Sequence, residues 1–145
     1  MKITIEDVSP ETEDEIIIRC RELDDELMQL IYALKSGRTK LTAYSDDGII
    51  QLSPKDIYYF ESVDNKVFAC CEKSVYEVRL KLYEIEKMYE RSDFMRISKS
   101  MIADVSKISR IIPSFNSRME AVMKNGEKVI ISRQYVSDLK KKLEL

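Results

Sequence analysis

Phe94-Met95-Arg96-Ile97-Ser98-Lys99-Ser100-Met101-Ile102 sets apolar, β-prone residues on either side of a short polar run. Residues 94–97 read as a strand, and Met101 and Ile102 read as core. Ser98-Lys99-Ser100 is then a loop presented between apolar anchors. A second stretch has a similar build. Asn125-Gly126-Glu127 marks a hairpin, residues 128–131 form an apolar strand, and Ser132-Arg133 opens a helix. An Asn-Gly pair suits a type I′ turn, which needs positive φ at both positions. Cationic and small hydroxyl side chains thus recur beside strand ends.

Working outward, the last helix starts after Ser132, a good N-cap, with Val136, Leu139 and Leu143 on one face. Lys140-Lys141-Lys142 lies in its last turn, where cations oppose the helix dipole. Upstream, short strands are expected at residues 40–45 and 48–52 around the hairpin signal Asp46-Asp47-Gly48. Others are expected at 56–62, 67–71 and 75–79, with a turn at Asp64-Asn65-Lys66. A helix over 81–91 buries Leu82, Ile85, Met88 and Tyr89. Strands at 107–112 and 118–123 complete the series.

Residues 1–38 have a different character. Strands are expected at 3–8 and 15–20, the second containing Ile16-Ile17-Ile18. A helix follows over 24–35, with a stripe of Leu23, Leu27, Leu30, Ile31 and Leu34 read as core. Gly37 fits the position just past its end. The fold class is therefore α+β and mainly β. An acidic ββα extension, residues 1–38, precedes a domain over residues 39–145.

Composition narrows the function. The 145 residues contain no histidine, which removes the commonest general base and the imidazole metal ligand. No phosphate-cradling motif occurs, and there are three glycines in all. The chain reads as a non-enzyme with no cofactor, no metal and no small-molecule substrate. Three cysteines, two of them adjacent, do not suit a disulfide framework; Cys20 and one of Cys70 and Cys71 read as small core residues. No signal peptide or membrane span is evident, so a cytoplasmic location is expected. Residues 1–30 carry 3 basic and 10 acidic side chains, whereas residues 91–145 carry 12 and 6. A basic C-terminal third suits a polyanion, and solvated faces also collect lysine.

The ordered series resembles the LytTR family of bacterial DNA-binding domains over about two-thirds of the chain. Asp56-Ile57-Tyr58-Tyr59-Phe60-Glu61-Ser62 is similar to the family's early strand. Val75-Tyr76-Glu77-Val78-Arg79-Leu80 leads into a helix in the family manner. Phe94 to Ser100 matches the central element, and Asn125-Gly126-Glu127 with Ser132-Arg133 matches the last hairpin and helix start. The resemblance implies an elongated β-sheet domain that reads the DNA major groove with loops between strands. It implies a sequence-specific transcription regulator binding double-stranded DNA as a homodimer. Asn65, Lys66, Ser98, Lys99, Ser100 and Arg133 occupy the implied contact positions. Arg offers a planar fork for guanine, Lys a compact charge, and Ser a phosphate donor. Arg96, flanked by Phe94 and Ile97, reads instead as a structural ion-pair partner or an arginine packed by its stem.

Two positions depart from the family pattern. Ser98 stands where the family often has His, and Asp104 where it often has Asn. Asp104 is expected to place a negative charge near the DNA side. Many family members follow a phosphorylated receiver domain, making this chain response-regulator-like, but residues 1–38 are too short for one. That segment is expected to mediate dimerisation through an open strand edge or to bind a separate regulatory protein. The competing reading is a protein–protein interaction module using the oppositely charged ends.

Overall fold

Alternation along the strands sends their buried side chains to one of two cores. The computed structural model describes residues 1–36 and 40–145. Helix α1 (Asp25–Ser36) comes first. It is followed by β1 (Leu41–Ser45), β2 (Gly48–Leu52), β3 (Ile57–Val63), β4 (Lys66–Cys71) and β5 (Val75–Val78). Then come α2 (Leu82–Met88), β6 (Phe94–Ser98), β7 (Met101–Asp104), β8 (Ile108–Pro113), β9 (Met119–Met123), β10 (Lys128–Ile131) and α3 (Arg133–Lys142). One antiparallel sheet has the order β2-β1-β5-β4-β3-β7-β6, and a smaller one β10-β9-β8. This is the mainly β, α+β class that the sequence implied.

Phe60, Phe94 and Ile102 point to one face of the large sheet, where Leu82 and Ile85 of α2 and Tyr89 at its C-terminal cap cover them. Their neighbours Tyr59, Met95 and Ala103 belong to the other core, with Ala121, Met123, Val129 and Ile131 of the small sheet and Leu139 of α3. The β3–β7–β6 half of the large sheet is thus covered on both faces. That arrangement fixes the ends of β3, β6 and β10 relative to one another.

Four sequence expectations need correction. Residues 101–104 form a strand, β7, which lies between β3 and β6. Residues 3–8 and 15–20 form no strands. Ile5 is 88% exposed and Ile17 65%. β-branched residues fit a pleated, half-buried surface, and without a partner to supply the ladder that preference has nothing to act on. The extension therefore contributes one helix rather than a ββα unit. The apolar stripe of α1 is not core, since Leu23 and Leu30 remain exposed and neither cluster includes an α1 residue among the described side chains. Cys20 is exposed, and Cys70 alone of the three cysteines is buried. Asp24 caps α1, accepting from the Leu27 N–H at 2.9 Å. Gly37 and the boundary after residue 38 lie outside the described residues.

Burial favours the neutral form of two side chains. Burial pushes the Tyr89 phenol up to about 12 and the Cys70 thiol up to about 11. An acid whose folded pKa is raised supports the fold fully below its unfolded pKa and loses that support as pH rises through the folded value. The denaturation midpoint is therefore expected to fall between about pH 9 and about pH 12. A midpoint constant across that interval would show that these groups are solvated in the folded chain.

Candidate nucleic-acid interface

Three connections between elements meet along one rim of the fold. The first is the β3–β4 hairpin. Val63 pairs with Lys66, leaving Asp64-Asn65 as a two-residue turn. Both have positive φ, 51° and 64°, as a type I′ turn requires. Asn and Asp tolerate this region better than most residues. The turn leaves Asn65 exposed at its tip and Lys66 exposed at the start of β4.

The second connection joins β6 to β7. Ser98 pairs with Met101, and the register shifts between Arg96 and Ser98, marking Ile97 as the irregular position. Ile97 is fully buried in the second core, which anchors the turn from below. Lys99 and Ser100 are exposed, and Ser98 is half-buried. The Ser100 N–H donates to Ser98 Oγ at 3.3 Å. The side chain of Ser98, not that of Ser100, therefore serves the local backbone.

The third connection is the start of α3. Ser132 holds the N-cap position in an extended conformation, yet its side chain makes no cap bond. The Tyr135 N–H instead reaches the Ser132 carbonyl at 2.9 Å. Arg133 follows at the first helical position and is exposed. The open N–H groups of a first turn and the helix dipole both favour an anion there.

Two backbone hydrogen bonds tie these connections together. The Ser62 N–H donates to the Ser100 carbonyl at 2.8 Å, and the Ser132 N–H donates to the Ile97 carbonyl at 2.8 Å. All six positions expected from the sequence thus sit on one rim. Lys66, Lys99 and Arg133 make no ion pair among the described residues. Ser62, Ile97 and Ser132 assemble the rim through main-chain atoms, which leave no side-chain signature in a sequence.

Other motif residues lie elsewhere. Arg96 Nε lies 3.1 Å from Glu86 Oε2 on α2, the structural ion pair expected of it. Asp104 does not place a charge near the rim. It pairs with Phe94 at the far end of the β6–β7 ladder and is only 6% exposed. Its carboxylate is engaged by Lys107 at 3.2 Å and by Ser106. The β9–β10 turn is also not type I′. Gly126 alone has positive φ, at 90°, and its N–H closes on the Met123 carbonyl at 2.9 Å. Asn125 Oδ1 accepts from the Glu127 N–H instead, which suits a longer turn closed by glycine. Glu127 meanwhile accepts from the Tyr59 hydroxyl at 2.5 Å, fastening this hairpin over the large sheet.

The chain belongs to the LytTr DNA-binding domain family, whose family model matches residues 47–144. Among its relatives, the sensory transduction protein LytT of Bacillus anthracis is 36% identical over 106 residues, 73% of this chain and 43% of the relative. LytT of Bacillus subtilis is 34% identical over 110 residues, 76% of this chain and 46% of the relative. The chain therefore spans less than half the length of these LytT relatives. An uncharacterized HTH-type transcriptional regulator of Staphylococcus aureus is 28% identical over 148 residues, 100% of this chain and 99% of the relative. A solved LytTr DNA-binding domain from Bacillus cereus superposes with a TM-score of 0.70 at 29% identity, covering 75% of this chain and 100% of that one.

Proposed function

We propose that this chain is a sequence-specific, non-enzymatic transcription regulator that reads the DNA major groove through its inter-strand loops. The observation that carries this reading is the convergence of the β3–β4, β6–β7 and β10–α3 connections through the Ser62–Ser100 and Ser132–Ile97 hydrogen bonds. Cations on a shared rim suit contacts spread along a duplex, whose phosphates set affinity while base edges set specificity. Arg133 is the base reader, favoured by its exposed position and guanidinium fork. Lys99 and Lys66 supply charge, and Asn65, Ser98 and Ser100 supply polar contacts. No two α-helices of the described residues are consecutive, which favours loops over a helix-turn-helix as the reading element.

On this reading residues 39–145 form the DNA-binding unit. Residues 1–38 serve contact between copies or with a separate regulatory protein, and the protein acts in the cytoplasm. Two copies occupy neighbouring half-sites about whole helical turns apart.

Selection from random duplex DNA tests this directly. An enriched repeated motif, bound by two copies and increasingly weakly as salt rises, is the expected result. Arg133→Ala and Lys99→Ala should each weaken binding to the selected duplex by about 1–3 kcal/mol if they read bases. Wild-type affinity in both variants would remove the assigned rim, and the absence of any enriched sequence would remove the function.

A further inference from the structure

The loop between β8 and β9 exposes an aromatic residue that neither core uses. Phe115 is 87% exposed, whereas Phe60 and Phe94 are buried. The loop is nonetheless held in shape. Pro113 pairs with Met119 at its base, and the Ser114 N–H donates to the Arg118 carbonyl at 2.9 Å. The Arg118 N–H closes on the Phe115 carbonyl at 3.1 Å. Asn116 and Ser117 are successive left-handed residues, with φ of 57° and 61°. Two such residues in a row are uncommon outside glycine and persist where surrounding contacts over-determine them.

The position of this loop is informative. Ile131 pairs with Met119, so the next register step brings Arg118 beside Ser132. Ser132 precedes Arg133 and bonds to Ile97, at the base of the Ser98–Ser100 turn. The loop therefore continues the rim on the side of Arg133 away from the β3–β4 hairpin. Its charge has the matching sign. Residues 108–119 contain Arg110 and Arg118 and no carboxylate, in a chain with 26 Asp and Glu. The nearest acid after the loop, Glu120, faces Lys128 at 3.7 Å. Arg118 is exposed and makes no ion pair among the described residues.

We propose that the Ser114–Arg118 loop is a further DNA-contacting element, with Arg118 on a backbone phosphate and Phe115 packed against the neighbouring deoxyribose. This inference rests on the DNA-binding reading above and extends it outward from Arg133. An exposed aromatic beside an unpaired arginine suits a duplex flank, where the sugar offers an apolar surface and the phosphate a bidentate acceptor. Ser114, Asn116 and Ser117 add short polar groups that can follow the backbone without reading sequence.

The test uses the full chain and the duplex that the wild type selects from random DNA. Binding is measured across a salt series for Phe115→Ala, Arg118→Ala, Arg133→Ala and Tyr83→Ala. Tyr83 is an exposed aromatic on α2 and serves as the neutral control. Arg118→Ala should weaken binding about tenfold for every sequence and lower the salt slope by about one. Phe115→Ala should weaken binding about threefold and leave the slope unchanged, since it removes contact area without charge. Hydroxyl-radical footprints of both variants should lose protection at the flank just beyond the Arg133 contact.

Wild-type affinity, slope and footprint in both loop variants, with binding lost in Arg133→Ala, would overturn this inference and leave the DNA reading standing. A change in self-association without a change in DNA affinity would also overturn it, by making the loop a protein contact. Failure of the wild type to select any sequence would overturn both readings.

Discussion

Phe60→Ala is expected to destabilise the fold by about 3–5 kcal/mol, the range for removing a large aromatic from a packed core. Phe60 is fully buried on β3, the strand that pairs with both β4 and β7. Its ring stacks on Tyr89 at 6.2 Å and packs tilted against Phe94 at 5.4 Å. One side chain thus joins α2 to two strands of the large sheet. Few atoms can move in to fill the space, because Tyr89 and Phe94 are themselves packed together at 5.2 Å. The loss would be a large share of the roughly 5–15 kcal/mol typical of a domain. Chemical denaturation measures it. Phe60→Leu, which keeps most of the volume, should lose less than Phe60→Ala. A loss below about 1 kcal/mol for Phe60→Ala would mean that this core is loosely packed in solution.

The same packing explains which parts of the fold could be read from the sequence. The bounds expected for β2 and β10 match those observed, because turn residues bracket both strands and their neighbours alternate in polarity. Strand β7 was not legible as a strand. Ile102 packs toward α2 and Ala103 toward the small sheet, and Met101 borders that second core. Burial on both faces removes the period-two signal by which a strand is recognised. Residues 15–20 failed in the opposite way, since three isoleucines carry strand propensity but no strand among the described residues pairs with them. The six rim positions were legible only through the order of motifs along the chain. Their convergence rests on the amide of Ser62 and that of Ser132, and neither bond is encoded by a side chain. Asp104 shows how far an environment can depart from a residue's type. A carboxylate expected to face DNA is enclosed at the far end of its strand.

That enclosure makes Lys107→Ala the other substitution with a large expected effect, a loss of about 3–5 kcal/mol. Lys107 Nζ lies 3.2 Å from Asp104 Oδ2, and both side chains are largely buried. The same ammonium donates to the Ile57 carbonyl at 2.8 Å and to the Lys55 carbonyl, and it faces the Tyr58 ring. Removing it leaves a buried carboxylate without its cation and deprives two carbonyls of a donor. Breaking one side of such a pair costs more than the pair contributes, because the remaining charge stays desolvated. Asp104→Asn in the Lys107→Ala background should therefore recover part of the loss, since a neutral amide is less costly to bury. The consequence extends into the small sheet. The Lys107 carbonyl accepts from the Lys124 N–H at 2.8 Å, which links the start of β8 to the β9–β10 hairpin. Denaturant titration reads the stability change, and DNA binding separates structure from charge. With Asp104 enclosed, Asp104→Asn alone should leave the salt slope of binding unchanged, because the carboxylate repels no phosphate. A steeper slope and tighter binding in that variant would return Asp104 to the DNA face. A Lys107→Ala chain as stable as the wild type would mean that the bridge is open to water.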